Sequence, residues 1–182
     1  MAKRQVFYSF HYNKDSWRAA QVKNMGMVEG NTPVSANEWE DVKRKGKTAI
    51  ENWINGSMAW RSCVVVLIGE NTYSREWCKY EIQHAWKTGK GVVGIYIHGL
   101  KDALQHQSMK GKNPFELFYI DKTINYIAER SFPTDNNEIK MSHVCKAYDT
   151  PYICSENVYS YIREHIEEWV EEAIKIRNIY PK

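Results

Sequence analysis

A glutamate on the apolar face of a helix is the residue of this sequence best suited to chemistry. Residues 73–88 have the apolar spacing of an amphipathic helix. At about 100° per residue, Glu81 falls on the apolar face, between Trp77 and Ala85. Burial of an unpaired carboxylate is costly and raises its pKa, so such a group is generally paired, exposed at an edge, or functional. Glu81 is therefore a candidate catalytic residue. The alternative is a carboxylate at the rim of the apolar stripe, paired with a lysine or arginine.

Strands and helices alternate around this position. Three short runs of β-branched and aromatic residues are predicted to be strands, at residues 6–10, 62–68 and 92–97. Helical spacing predicts helices over residues 48–60 and 73–88, and a weaker pattern predicts one that starts at Asp15 or Ser16. This alternation predicts an α/β fold with a central parallel sheet flanked by helices.

The loops at one edge of such a sheet are the expected walls of a site. Ligands of parallel α/β sheets bind beyond the carboxyl ends of the strands. The loops after Phe10, Ile68 and Ile97 are therefore candidate walls of a binding site.

Glycine and proline positions predict where these elements end. Gly56 and Gly89 are expected to end the two better-defined helices. Residues 24–37 are predicted to be a loop, because they contain two glycines, a proline and several small polar residues. A short strand is expected near residues 27–28.

The second half of the chain is irregular until its last segment. Between residues 98 and 151 the periodicity weakens, which predicts an irregular insertion with one or two short elements. A long helical stripe then follows Ser155, a possible N-cap, and is expected to pack against the sheet. We therefore predict a single domain over residues 1–182, with a core at about 4–98, an insertion at about 99–154 and a C-terminal helix at about 155–178.

Composition excludes several classes of protein. The 182 residues are 43% hydrophobic and 26% charged with a net charge of +3, which excludes a disordered chain and gives little support to a nucleic-acid binder. No run of about 18 apolar residues and no secretory signal are present, so we expect a cytoplasmic protein with no membrane contact. The four cysteines form no C-x-x-C pair, and we expect reduced thiols and no metal site. A basic cluster at residues 43–47 is either part of a solvated loop or a region that attracts the phosphates of a nucleotide.

Three motifs resemble those of TIR domains. Residues 6–10 followed by Asp15 resemble the opening box of the family, and residues 63–68 resemble the strand before its catalytic helix. Trp77-x-x-x-Glu81 matches the W-x-x-x-E spacing of TIR enzymes that cleave NAD. Further segments up to about Phe115 resemble more closely the small stand-alone TIR-like proteins of the Thoeris anti-phage system.

The resemblance implies both a fold and an activity. The implied fold is the flavodoxin-like TIR fold. The implied activity is cleavage of the nicotinamide–ribose bond of NAD, with cyclisation of the ADP-ribose into a signal that activates a separate effector. NAD is then the substrate, no separate cofactor is needed, and self-association is expected. The glutamate of the motif falls on Glu81, to which the resemblance assigns the catalytic role.

The resemblance also points to residues that contact the substrate. These are Phe10, His11, Trp39, Ser74, Trp77 and Cys78. For His11, a structural hydrogen bond is the alternative to a substrate contact. The R-D-x-x-P-G box of plant and animal TIR domains is absent and residues 31–41 replace it, so the identity of the loop contacts stays open.

Two other functions fit the same residues. The chain is alternatively a non-catalytic TIR interaction module, or a nucleotide-binding domain without turnover. The sequence leaves open the linkage of a cyclic product, the choice between cyclase and hydrolase, the trigger and the oligomeric state.

Overall fold

A parallel four-stranded sheet forms the centre of the molecule, whose computed structural model describes residues 2–31 and 36–182. The sheet order is β1-β2-β3-β7, from β1 (Val6–Ser9), β2 (Cys63–Ile68), β3 (Gly91–Tyr96) and β7 (Ala147–Tyr148). Five helices are described: α1 (Tyr12–Asn24), α2 (Ala36–Arg44), α3 (Lys47–Met58), α4 (Glu76–Lys87) and α5 (Ser155–Ile179).

Helices cover both faces of this sheet. The central strand β2 is buried at all six positions, so its side chains enter two separate cores as they alternate. Helices α1 and α5 cover one face, and α3 and α4 cover the other. The predicted α/β architecture with a parallel sheet and a long C-terminal helix is confirmed.

Helix α5 is the main cover of β3. Its buried stripe has helical spacing and consists of Val158, Ile162, Ile166, Trp169, Val170 and Ala173. Gly91 permits this close approach, because a Cβ atom built there would lie 2.8 Å from the backbone nitrogen of Ile174. In the described part of the chain, no helix is long and apolar enough to cross a bilayer.

The insertion contains more structure than the one or two elements expected. Its strands β4 (Phe118–Asp121), β5 (Ile127–Glu129) and β6 (Glu138–Lys140) form an antiparallel sheet in the order β5-β4-β6. The insertion also supplies β7, which pairs with β3 in the central sheet. Strands of two to four residues are too short for a period of two to be recognised in the sequence.

Several helix ends differ from the expected positions. Helix α1 begins at Tyr12 with His11 at its N-cap, so neither Asp15 nor Ser16 caps it. Asp15 is buried instead and its carboxylate lies 3.1 Å from the guanidinium of Arg18, within the same helix. Helix α5 has Cys154 at its N-cap, and Ser155 is its first residue.

Of the two glycines predicted to end helices, one does so and the other lies within a helix. Gly89 follows α4 with φ of +76°, a conformation that ends helices readily, as expected. Gly56 lies within α3, which continues to Met58, because an exposed glycine can be helical at a modest cost in stability. Before α4, residues 72–74 form a separate 3₁₀ turn instead of its first turn.

The predicted loop at residues 24–37 is shorter than expected. Helix α2 starts at Ala36, and residues 32–35 lie outside the described part of the chain. The strand expected near residues 27–28 is a single parallel bridge between Gln5 and Glu29.

Candidate active site

An open pocket with a cavity volume of about 200 Å³ lies beside β1, at the edge of the sheet. Elements on both faces of the sheet supply its walls, together with the end of β1: helix α1 on one face, and helices α2 and α3 and the first turns of α4 on the other. Its aromatic lining consists of Phe7, Tyr8, Phe10, Tyr12, Trp39, Trp53 and Trp77. These aromatic walls suit a ligand that carries flat rings.

Glu81 projects from α4 into this pocket. Its carboxylate accepts a hydrogen bond from the hydroxyl of Ser9, the last residue of β1. Only 9% of Glu81 is exposed, and burial raises its pKa to about 8, although the Ser9 hydrogen bond acts in the opposite direction. Because burial removes this carboxyl from most water, the charge of Glu81 depends on whatever cation enters beside it.

A thiol lies one helical turn before this carboxyl. Cys78 lines the pocket and is 2% exposed. Burial, and then the nearby Glu81, raise the pKa of its thiol, so Cys78 is a neutral wall residue and not a nucleophile.

The N-caps of two helices bring basic side chains to the pocket. His11 caps α1 and Arg75 caps α4, and both line the cavity. Burial, followed by the charges of Arg75 and Lys14, lowers the pKa of His11, so its ring is neutral at neutral pH. Among the described residues, its buried Nδ1 atom has no hydrogen-bond partner.

Tryptophans form the wall opposite α1. Trp39 and Trp53 meet edge to face, with ring centroids 5.7 Å apart. Trp77 contacts Tyr80 in the same manner at 5.8 Å, and the hydroxyl of Tyr80 donates a 2.9 Å hydrogen bond to Asn55 that joins α4 to α3. This wall offers flat apolar surface for an aromatic base.

Most residues predicted from the sequence meet at this pocket. Glu81, Phe10, His11, Trp39, Trp77 and Cys78 line it. Ser74 does not: it is exposed in the 3₁₀ turn, where its hydroxyl donates a 3.2 Å hydrogen bond to the carbonyl of Asn71. The separate 3₁₀ turn before α4 directs Ser74 away from the helical face that carries Glu81.

Several residues that line the pocket or contact Glu81 were not predicted from the sequence. Ser9 carried a usable signal, since it ends β1 and shares the face of Phe7, toward α4. No sequence signal marks Trp53, Lys23 or Asn31, because these residues reach β1 only through the packing of α3, α1 and the loop after α1. Of the basic cluster at residues 43–47, Lys43 lines the pocket.

Metal ligands do not assemble at the pocket. Across residues 2–31 and 36–182, no three histidine, cysteine or acidic side chains come together in an arrangement that could hold a metal ion. Three cysteines, Cys63, Cys78 and Cys145, are buried and free, and Cys154 is exposed and free.

The part of the chain that builds this pocket matches a known family. Residues 7–102 match the family described as "Thoeris protein ThsB, TIR-like domain", which is more than half of the chain. The chain belongs to this Thoeris TIR-like family. The match covers the chain from the second residue of β1 to the end of β3 and every residue described as lining the pocket, whereas α5 and most of the insertion lie beyond it.

A curated relative carries the name of an enzyme. The chain is 37% identical over 121 residues to "Putative cyclic ADP-D-ribose synthase ThsB1" from Bacillus cereus (strain MSX-D12). The aligned region covers 64% of this chain and 62% of the relative, so the chain spans less than two thirds of the relative's length.

Proposed function

We propose that this Thoeris TIR-like protein cleaves the nicotinamide–ribose bond of NAD and cyclises the remaining ADP-ribose. The observation that carries the proposal is the carboxyl of Glu81, buried in an aromatic pocket and held by Ser9 at the end of β1. The name of the Bacillus cereus relative supports the cyclic product, and the Trp77-x-x-x-Glu81 spacing supports the cleavage.

The carboxylate of Glu81 stabilises the charge that cleavage creates. When the bond between nicotinamide and the ribose C1′ breaks, its electron pair leaves with nicotinamide and positive charge develops on the ribose. A carboxylate fixed beside the ribose stabilises that charge without reorganising. The pyridinium of bound NAD is itself a cation, so its entry favours the ionised form of Glu81.

The aromatic walls decide what attacks the ribose next. Cyclisation requires a nucleophile from the ADP-ribose itself to form a bond to C1′ before water does. The tryptophan wall of Trp39, Trp53 and Trp77 holds flat rings and reduces access of water. If water reaches C1′ first, the product is ADP-ribose from plain hydrolysis.

The biological setting follows from the proposed product. A cyclic ADP-ribose-type molecule is a diffusible signal, so its target is a separate effector protein of the anti-phage system. We further propose self-association, a cytoplasmic location, and no role for nucleic acid, membranes or a bound cofactor.

Initial rates of nicotinamide release from NAD test this proposal. Glu81→Gln keeps the shape of the side chain and removes its charge, and Glu76→Gln makes the same change at an exposed position of the same helix. We expect release by the wild type and by Glu76→Gln, and a loss of about 100-fold or more in Glu81→Gln. If the wild type shows no release at high protein concentration or with lysate from phage-infected cells, a non-catalytic interaction module replaces the enzyme.

A further inference from the structure

The pocket extends across the edge strand β1 and has walls on both faces of the sheet. Phe7 and Ser9 face α3 and α4, and Glu81 and the tryptophans lie on that side. Tyr8 and Phe10 point to the other face, which α1 covers, and they line the same cavity. The mechanism uses only the α4 side, so the α1 side has no assigned role.

Among the described residues that line the pocket, Lys23 is the charged residue of this second side. It lies in the last turn of α1 and is partly buried, with its ammonium 5.0 Å from the ring centroid of Phe10 and 5.7 Å from that of Tyr8. Burial, and then the charge of Arg61, lowers its pKa. Within the described part of the chain, its close contacts are these two rings and not a carboxylate. Lys43, in contrast, lies 3.0 Å from Glu40.

The charges around the pocket favour an anionic ligand, and Lys23 is the cation that α1 contributes. Lys23, Lys43 and Arg75 line the cavity, and Glu81 is the one acidic residue among the described lining residues. A lysine that is partly removed from water, with two aromatic rings as neighbours, regains favourable interactions when a phosphate binds.

We propose that Lys23 forms a diphosphate subsite, which holds the two phosphates of the dinucleotide while its nicotinamide ribose lies at Glu81. This proposal rests on the proposed function for the identity of the substrate. In NAD the diphosphate joins the two riboses, so a molecule with one ribose at Glu81 carries its negative charge further along the pocket. The subsite selects ligands with a diphosphate and holds the substrate in place without taking part in bond cleavage.

Binding measurements by calorimetry test the subsite without turnover. The probes are ADP-ribose, inorganic pyrophosphate and adenosine, which carries no phosphate. Lys23→Met keeps an unbranched apolar side chain against the rings, Lys23→Arg keeps the charge, and Lys175→Met removes an exposed lysine on α5 as a control. Lys23→Gln replaces Lys23→Met if the latter does not unfold cooperatively.

The subsite predicts a pattern across probes and variants. Lys23→Met lowers the affinity for ADP-ribose and pyrophosphate by about tenfold or more and leaves the affinity for adenosine unchanged. Lys23→Arg binds all three probes within about threefold of the wild-type affinity. Higher salt weakens binding of the two phosphate probes more in the wild type and in Lys23→Arg than in Lys23→Met. The subsite is overturned if Lys23→Met binds ADP-ribose as tightly as the wild type, or if the wild type does not bind it.

This test separates the subsite from the proposed reaction. If NAD is not cleaved but ADP-ribose binding depends on Lys23, the reaction fails and the subsite stands. If NAD is cleaved but ADP-ribose binding is independent of Lys23, the subsite alone fails.

Discussion

At the scale of single residues, the proposed chemistry depends on the ionisation of one buried carboxyl. Glu81 has a pKa raised to about 8 because it is buried, and the hydroxyl of Ser9 is the described group that stabilises its ionised form. Only the ionised form can stabilise a positively charged ribose. The rate of NAD cleavage should therefore depend on the fraction of Glu81 that is ionised.

The pH profile of kcat/KM should follow Glu81 in the free enzyme. We expect kcat/KM for NAD to rise from about pH 6 and to level off above an apparent pKa near 8. Rates of nicotinamide release across buffers of equal ionic strength measure this. A flat profile over the same range would show that the ionisation of Glu81 does not control the reaction.

Ser9→Ala should move that profile in a known direction. Loss of the hydrogen bond to the carboxylate raises the pKa of Glu81 further, so activity at pH 7 should fall by about tenfold and recover in part at higher pH. Ser160→Ala, on the exposed surface of α5, serves as the control. An equal loss at every pH would indicate that Ser9 does not act through the ionisation of Glu81.

Burial of the ionised Glu81 side chain should also lower the free energy of unfolding. The pKa is higher in the folded state than its ordinary value of 4.5, so the folded protein binds more protons and its unfolding free energy falls as pH rises from about 4.5 to about 8. Glu81→Gln removes this contribution. We expect its Tm to exceed that of the wild type by about 4 °C or more at pH 8, with a smaller difference at pH 5. A Tm difference independent of pH would contradict this.

At the scale of elements, close contacts between helix and strand hold the sheet together. Helix α5 lies so near β3 that only glycine fits at position 91, whereas a Cβ atom at Gly56 in α3 would meet no described atom within 4 Å. Replacement of glycine by alanine should therefore have opposite effects on stability at these two positions.

A pair of glycine substitutions tests this contrast. Gly91→Ala forces α5 away from β3 and should destabilise the protein by about 2 kcal/mol. Gly56→Ala should stabilise it by about 0.5–1 kcal/mol, because alanine favours a helix interior. Urea unfolding of both variants measures the two free energies. Equal effects at the two positions would mean that α5 does not pack against β3 in this way.

The longer elements could be predicted from the sequence, and the shorter ones could not. Continuous burial of β2 and the apolar stripe of α5 follow directly from their residues. The starts of α1 and α4 differ from the predicted positions because the N-caps, His11 and Arg75, do not cap through their side chains. The antiparallel sheet of the insertion could not be predicted because its strands are only three or four residues long.

At the scale of the whole molecule, the pocket exists only where separate elements meet. Glu81 could be predicted from its helical face, and Phe10 from the family resemblance. Lys23 and Trp53 could not, since they approach β1 only through the packing of α1 and α3. Residues that come from distant parts of the chain can be assigned to one site from the structure, but not from the spacing of residues in the sequence.

The mass of the product formed from NAD tests the central claim most directly. Wild-type protein at high concentration is incubated with NAD beside Glu81→Gln, and the products are separated and weighed by mass spectrometry. We predict nicotinamide and a product one water lighter than ADP-ribose from the wild type, and neither from the variant. Intact NAD with the wild type, or equal nicotinamide release by both proteins, would contradict the claim.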